Sequence, residues 1–521
     1  MTTQPPQVSP TDLPLFAAPP ARPQARRLAG QAPTNNGQPS PAAHHLDEPT
    51  PPANHTGAQP NPFRPRPEAE PELPLNSTSV DQQAVREIQA AVSELLTDRD
   101  GQDARTVIAD EVTAYNQRRL HVGTPALNPD AQAQLGQAVF DAVFGLGRLA
   151  PLISIPGLQN IEVRGHDQTT WLIFGDRPPV RGPAVCDSPE ELIELVARLA
   201  RSGATERPFD NAHPHVDLTL PDMSRLSASF RFTPYPVLTI RIHRYVDIDL
   251  PTLQRMGMLS GSMAAFLTAM VRAGKSLVIA GVPEAGKTTL TRGVLNVLDP
   301  LVAIGTIETE DELGLHTLPH RHARVWPAWE LIGGGEVING KAAGSLTVND
   351  LIPPALRANV QVLVVGEVRG HEVIAMLEAM QGTQNSVSTV HAKNGRDAVE
   401  RLVTCATKYG QVDTTWAYRQ VAQLVDAIVH VNLIDERHLG GRQHRFIDEI
   451  VLPELSGDGA AGYSVPAIYK PGPDGRGIPD PAHTPPWLDE LERYGFDPAW
   501  LHDTSWDTSL ELIHPIRRRD Q

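Results

Sequence analysis

The chain has 521 residues, with 45 Lys+Arg against 61 Asp+Glu and a formal charge of −16. Hydrophobic residues at 40% supply material for real cores, and the length suggests two to four domains of ~150 residues. The 49 prolines, about twice the usual share, mark part of the chain as unfit to fold. The acidic balance argues against a protein that coats duplex DNA, which needs a basic face against phosphate, but leaves a local basic groove open. Two cysteines, Cys186 and Cys405, exclude a disulfide framework and a Cys-rich zinc module. The stretch from Met1 to Pro20 lacks the charged start and apolar core of a signal peptide. No run approaches the ~20 apolar residues that span a bilayer; the longest, Leu277–Val282 and Val360–Val365, are strand-sized. The expectation is a cytoplasmic protein whose link to a membrane passes through partners.

Residues 1–80 hold 19 of the 49 prolines and read as a disordered arm that cannot offset its chain entropy by burial. Val85, Ile88, Val92 and Leu95 fall at helical spacing, as do Val107, Ile108 and Val112 and the stretch Ala131–Leu149, giving a helical region over 81–150. Strands are predicted at Asn160–Gly165 and Thr170–Phe174 around a His166–Gln168 turn. A helix follows at Ser188–Arg201, with Ser188 as N-cap and Pro189 first. Further strands at Val216–Leu220, Ser227–Phe232 and Val237–Ile242 complete an α+β domain over 151–249.

From Pro251 apolar strands alternate with helices. Strands are read at Ser276–Ala280, Val302–Ile307, Val360–Val365 and Ile428–Asn432. Helices are read at Gly261–Arg272, Thr288–Leu298, Val348–Leu356, His371–Met380 and Arg396–Thr407. That alternation predicts an α/β domain over 250–455 with a parallel sheet covered on both faces. Residues 456–521 turn Gly/Pro-rich again, and Pro486–Arg493 with Trp487, Trp500 and Trp506 suggests a tail that docks onto something.

The strongest signal is Gly281-Val282-Pro283-Glu284-Ala285-Gly286-Lys287-Thr288, followed by Thr289: a complete GxxxxGK[ST] between a strand and a helix. Loop N–H groups and the helix N-terminus would wrap a β-phosphate. Lys287 would reach the β- and γ-phosphates, and the Thr288 hydroxyl would ligate Mg²⁺. Glu284 puts a negative charge beside that site, harmless only if it points outward. Val362–Gly366 is an apolar strand followed by Glu367, where an acid can activate water or organise the Mg²⁺ shell. Glu308, Glu310, Asp311 and Glu312 follow another strand, and could position water and metal or form a solvated turn. His391, in Ser388-Thr389-Val390-His391-Ala392, could sense a γ-phosphate or be a satisfied structural histidine.

Together, TIE…EL, VGEVRG and STVHA with its Arg396-Asp397 helix, downstream of GKTT, resemble the secretion-ATPase superfamily of type II secretion, type IV pili and type IV secretion. The likeness is greatest to the tight-adherence pilus and conjugation-type branch and spans about residues 150–450. It implies a RecA-like P-loop core in which Glu308–Leu313 is the aspartate box, Val362–Glu367 the Walker B strand and Thr389–Ala392 the histidine box. It likens Asn160–Gly165 to the family's N-terminal hairpin. It implies that the N-terminal domain delivers arginines to the nucleotide, here Arg225 and Arg241. Arg357 and Arg369 match the family's arginines around Walker B. Departures are Glu284 in place of a small residue, Thr309 in place of Asp, and the loss of Pro-Asp after Arg357. The arginine usual after the aspartate box is not evident in Val325–Glu330. These allow weakened or partner-dependent turnover.

The resemblance implies a hexameric ring that uses ATP and Mg²⁺ to power pilus assembly or secretion through inner-membrane platform proteins, with no direct nucleic acid. Alternatives are a conjugation- or DNA-linked translocase and a non-hydrolysing nucleotide-bound scaffold.

Overall fold

The computed structural model describes residues 80–502 apart from 99–103, 166–169, 203–206, 332–336, 339–340, 371, 409, 411 and 457–461. The chain divides into two units, 1–68 and 69–521, and every described residue belongs to the second. The Pro-rich arm, the His166–Gln168 turn, His371 and Trp506 lie outside the described residues.

Helices α1 (Gln82–Asp98), α2 (Ala104–His121) and α3 (Pro129–Phe144) come first. Their apolar stripes meet in a small core of their own, with Ile88, Val92, Ile108, Val112, Leu135 and Val139 buried. Asn128 starts α3 by accepting the Ala131 N–H at 2.7 Å, with Pro129 in the first turn. A short helix α4 (Ala150–Ile153) leads into the next domain.

That domain is a six-stranded antiparallel sheet of β1 (Leu158–Arg164), β2 (Thr170–Phe174), β3 (Val180–Arg181), β4 (His215–Thr219), β5 (Arg225–Ser229) and β6 (Val237–Arg241). Its order is β3-β2-β1-β6-β5-β4. Helix α5 (Pro189–Ser202) packs Leu192, Leu195, Val196 and Leu199 into the core formed with Ile161, Leu172, Leu226 and Ile240. Alternation along the strands decides what faces outward. In β5, Leu226 and Ala228 turn inward, leaving Arg225 on the other face; in β6, Leu238 and Ile240 do the same for Arg241. The register makes Arg225 and Arg241 direct cross-strand partners.

After α6 (Leu250–Arg255) and α7 (Gly261–Arg272), the larger sheet begins with β7 (Leu277–Gly281), followed by α8 (Lys287–Leu295), β8 (Ile304–Glu308) and β9 (Val325–Trp329). A small hairpin, β10 (Val337–Ile338) and β11 (Lys341–Ala342), precedes α9 (Val348–Arg357). Then come β12 (Val362–Val368), α10 (Glu372–Gly382), β13 (Asn385–Val390), α11 (Gly395–Thr407), α12 (Thr414–Leu424), β14 (Ala427–Asp435) and β15 (Gln443–Val451). The last described strands and α-helix are the hairpin β16 (Glu454–Ser456) and β17 (Gly462–Ser464), strands β18 (Ala467–Pro471) and β19 (Gly477–Pro479), and α13 (Leu488–Glu492).

The nine-stranded order is β19-β18-β15-β14-β7-β13-β12-β8-β9. Strands β14, β7, β13, β12, β8 and β9 are parallel, while β15, β18 and β19 extend the sheet antiparallel. The sheet is therefore mixed, where a parallel one was expected. Phe266, Leu267, Leu290 and Val294 cover one face; Met376, Leu377, Leu402 and Val421 cover the other.

Two differences from the sequence reading have clear causes. Strand β13 is fully buried yet reads polar, because three of its polar side chains bond backbone carbonyls. Ser386 Oγ donates to Leu363 O at 2.6 Å, Thr389 Oγ1 to Gly366 O at 2.6 Å and Asn385 Nδ2 to Val271 O at 3.0 Å. The Gly/Pro-rich tail returns to its own chain. Ile468 and Tyr469 are fully buried in the main core, and Trp487 and Phe496 pack around Phe266 at ring-centroid distances of 6.0 and 5.3 Å. Ile468→Ala is accordingly expected to cost about 2–5 kcal/mol, as a core truncation does, rather than the few tenths of a solvated tail. Urea denaturation of the two proteins measures it.

Candidate functional site

The β7–α8 loop leaves the middle of the sheet, where β7 lies between β13 and β14. Its path needs glycine at both ends. A Cβ on Gly281, at φ +156°, would lie 2.5 Å from the Val431 carbonyl oxygen. Gly286, at φ +98°, caps α8 against Met258 and Arg445. Between them Glu284 adopts φ +64° with an exposed side chain, so its carboxylate stands away from the loop's interior. Its carbonyl accepts from Arg445 Nε at 2.7 Å. The first turn of α8 has N–H groups without intrahelical partners, at the positive end of the helix dipole.

Lys287 is buried. Its ammonium donates to Gly281 O at 3.2 Å and Val282 O at 3.1 Å, and lies 3.0 Å from His391 Nδ1. Burial pushes its pKa down to about 8, with the Arg241 charge adding to the shift and Glu367 opposing it. On its far side the His391 ring places Nε2 2.7 Å from Glu367 Oε1. That oxygen is buried and has no aligned hydrogen-bond donor. Arg369 Nη2 holds the other oxygen at 2.6 Å. Burial alone would raise the Glu367 pKa, but His391 and Arg369 outweigh it and hold it at about 2.

The acids after β8 take separate places. Glu308 is buried, and its Oε1 accepts the N–H groups of Glu312 at 3.2 Å and Leu313 at 3.0 Å. Burial, with the Asp311 charge, raises its pKa well above the ordinary value. Glu312 reaches the loop: its Oε2 accepts from Thr288 Oγ1 at 3.4 Å while Oε1 takes Arg225 Nη1 at 2.5 Å. Arg241 lines, with Glu284, Gly286 and Thr289, a cavity of about 250 Å³ between the smaller sheet and the loop. Arg357 is not brought there. It is exposed at the end of α9 and bonds Pro353 O of its own helix at 3.1 Å.

Several site residues had no motif to reveal them. Arg292, fully buried in α8, donates to Leu313 O at 3.1 Å, to Tyr245 O at 3.0 Å and to Glu312 O, tying helix, interdomain linker and acidic loop together. Arg445 joins Glu284 O to Gln159 Oε1, the latter at 3.1 Å. His243 in the cavity wall stays neutral, because burial and the Arg292 charge push its pKa down to about 4. Arg207 meets Glu310 at 3.0 Å. These contacts join residues 20 to 286 apart, so no local pattern marks them.

Among the described residues no three His, Cys, Asp or Glu gather as a metal site. The Thr288 hydroxyl, the Glu312 carboxylate beside it and the buried Glu367 oxygen that faces His391 fit a hard divalent cation that arrives with phosphate oxygens. An all-protein cage is not what these residues offer.

A model of the type II/IV secretion system protein family matches residues 209–450. A putative conjugal transfer protein of Mycobacterium tuberculosis is 30% identical over 60% of this chain and 86% of its own length. This chain belongs to the type II/IV secretion system protein family. An uncharacterised protein of Methanocaldococcus jannaschii is 32% identical over 50% of this chain, which spans only 45% of that relative's length. The VirB11 ATPase of the Brucella suis type IV secretion system, solved with sulphate, aligns over 60% of this chain and 95% of its own at 20% identity. Its TM-score of 0.29 is too low to carry the fold, which rests on the strand order above. No helix among the described residues is long and apolar enough to cross a membrane.

A carboxylate whose folded pKa lies below its unfolded value adds stability above the unfolded pKa and loses it as pH falls through the folded one. The stability gap between wild type and Glu367→Gln is therefore expected to be full near neutral pH, at roughly 1–3 kcal/mol after screening of the exposed Arg369. It should close between about pH 4.5 and about pH 2, where Glu367 protonates; urea titrations at stepped pH follow it. Glu284→Gly removes a left-handed side chain from the loop and is expected to raise stability by about 0.5–1 kcal/mol, read in the same assay.

Proposed function

We propose that the chain is a Mg²⁺-dependent ATPase, with a RecA-like P-loop core over residues 250–455 and the α+β domain of 151–249 closing on the nucleotide. The observation that carries this reading is Lys287: a buried ammonium resting on two loop carbonyls and a histidine, at the end of a central strand. A phosphate is the ligand that such a cation, backed by a helix N-terminus, accepts. Gly281, Val282, Pro283, Glu284, Ala285, Gly286 and Thr289 shape the loop. Thr288 and Glu367 would hold Mg²⁺, with Glu312 alongside, and the bound ion would neutralise charge on the β- and γ-oxygens.

Lys287 leaves the Gly281 and Val282 carbonyls for the phosphates. His391, now beside the γ-phosphate, loosens from Glu367. A carboxylate with a pKa near 2 is a poor base; released by its histidine, the Glu367 oxygen would be free to join the Mg²⁺ shell and orient the attacking water there. The γ-phosphate's presence thus primes its own hydrolysis. Glu308 holds the acidic loop in shape through its backbone bonds. Arg225 and Arg241, cross-strand neighbours on the smaller sheet, reach the phosphates as that domain closes, and Arg369 keeps Glu367 oriented. Arg357, exposed on α9 and bonded to its own helix, takes no part in this scheme.

The motor works as a ring, taken as six subunits. It sits in the cytoplasm and drives pilus assembly or protein secretion through inner-membrane partners. The likeness to a putative conjugal transfer protein supports the conjugation-linked alternative; the −16 charge speaks against direct contact with nucleic acid. ATP turnover by the purified protein decides. Lys287→Ala and Glu367→Gln are expected to lower it by on the order of 100-fold or more. A wild type no faster than these variants while still binding ATP overturns the motor reading in favour of a scaffold. Turnover stimulated by DNA favours the translocase, and native mass with ATP gives the subunit number.

A further inference from the structure

The acidic loop after β8 carries two arginine pairs from the smaller sheet's domain, and they are not equivalent. Arg225 meets Glu312, and both side chains are about a quarter exposed, at 23% and 26%. Arg207 Nη1 donates to Glu310 Oε1 at 3.0 Å and to the Asp217 carbonyl at 2.6 Å, with the two side chains only 15% and 9% exposed. Burial raises the Glu310 pKa and the Arg207 charge opposes it, so the pair depends on both members. Asp311, between the two glutamates, turns elsewhere and lies 3.6 Å from His316 Nε2. The backbone of the same loop is held from the core side, by Glu308 Oε1 on two N–H groups and by Arg292 on two carbonyls.

As Arg225 turns toward a phosphate in the proposed closure, its Nη1 contact with Glu312 loosens. Once it leaves, Glu312 and its contact with the Thr288 hydroxyl need another anchor from that domain. The buried pair two residues upstream is that anchor, because it touches neither the β7–α8 loop nor the cavity. We propose that Arg207 is a positioning residue: through Glu310 it fixes the loop that presents Glu312 to Thr288, and it keeps that loop in place while Arg225 changes partner. The proposal rests on the ATPase reading for its consequence, and on the Arg207–Glu310 contact for its geometry.

The test uses the full chain and fluorescently labelled ADP. In Arg207→Ala the Mg²⁺ concentration that half-maximally tightens ADP binding is expected to rise ~10-fold, the usual loss when a supporting partner of a ligand is removed. Affinity for ADP without Mg²⁺ should stay within about twofold, because the Lys287 loop is untouched. Arg207→Lys should recover part of the loss, and amide exchange at Glu312 and Leu313 should quicken in Arg207→Ala without any ligand. Wild-type Mg²⁺ dependence and wild-type exchange in Arg207→Ala overturn the proposal. If wild type does not bind ADP at all, the ATPase reading falls, and exchange at Glu312 and Leu313 still decides the role of Arg207. If Arg207→Ala does not fold, the double variant Arg207→Gln/Glu310→Gln, which removes both buried charges and keeps a hydrogen-bonding pair, carries the same measurements.

Discussion

One buried cation organises this molecule. Lys287 has given up most of its water, and no carboxylate among the described residues touches its ammonium: it rests on the Gly281 and Val282 carbonyls and the lone pair of His391. Those are dipoles, and they compensate a buried charge only partly, which is why its pKa falls to about 8. An incoming anion supplies the missing countercharge and restores the ammonium, so binding and protonation reinforce each other. The loop that holds Lys287 in this condition depends on Gly281, where the Val431 carbonyl excludes any side chain. That carbonyl belongs to β14, so the strand beside β7 sets the loop's path as much as the motif does.

The rest of the site follows from a parallel sheet. Strands β7, β8, β12 and β13 run the same way, so the Gly281 loop, Glu308, Glu367 and His391 emerge at one edge although they are spread over more than a hundred residues of chain. The smaller sheet meets that edge with polar groups. Alternation in β5 and β6 leaves Arg225 and Arg241 on the outer face, and the register sets them side by side. Two like charges on adjacent strands repel. Glu312 relieves that repulsion for Arg225, while Arg241 stays exposed at the cavity wall, the less satisfied of the two.

What the sequence could show was governed by periodicity and local spacing. The strand before Gly281 and the strand before Glu367 are unbroken apolar runs, and GxxxxGKT declares its own geometry, so these positions were legible from single segments. Strand β13 was not, because Asn385, Ser386 and Thr389 meet their burial cost through bonds to Val271, Leu363 and Gly366 that only the folded chain provides. Strands β18 and β19 hid behind a Gly/Pro-rich composition, which describes the turns around Ile468 and Tyr469 rather than their burial. The acids at 308–312 could be found as a cluster but not sorted. Glu308 faces backbone N–H groups and Glu312 faces Thr288, a division set by which side of the loop each occupies. Arg207 and Arg292 leave no trace in spacing, since each earns its place through partners distant along the chain.

The charge balance can now be placed. The acidic surplus does not make the site acidic in effect, because the site's carboxylates are engaged: Glu312 by Arg225, Glu310 by Arg207, Glu367 by Arg369 and His391, Glu308 by backbone N–H groups. An anionic ligand therefore does not enter a field of free carboxylates; it competes with them for cations already in place. At the domain joint the proposed exchange would be nearly balanced, since the Arg225–Glu312 pair is partly solvated and trading one anion for another leaves the number of ion pairs unchanged. In the proposed closure, movement of the smaller domain would require little net electrostatic work, provided the acidic loop itself does not move. The more deeply buried Arg207–Glu310 pair and the Arg292 bonds to the loop's carbonyls supply that fixed point, so the joint combines one contact suited to exchange with one suited to persist.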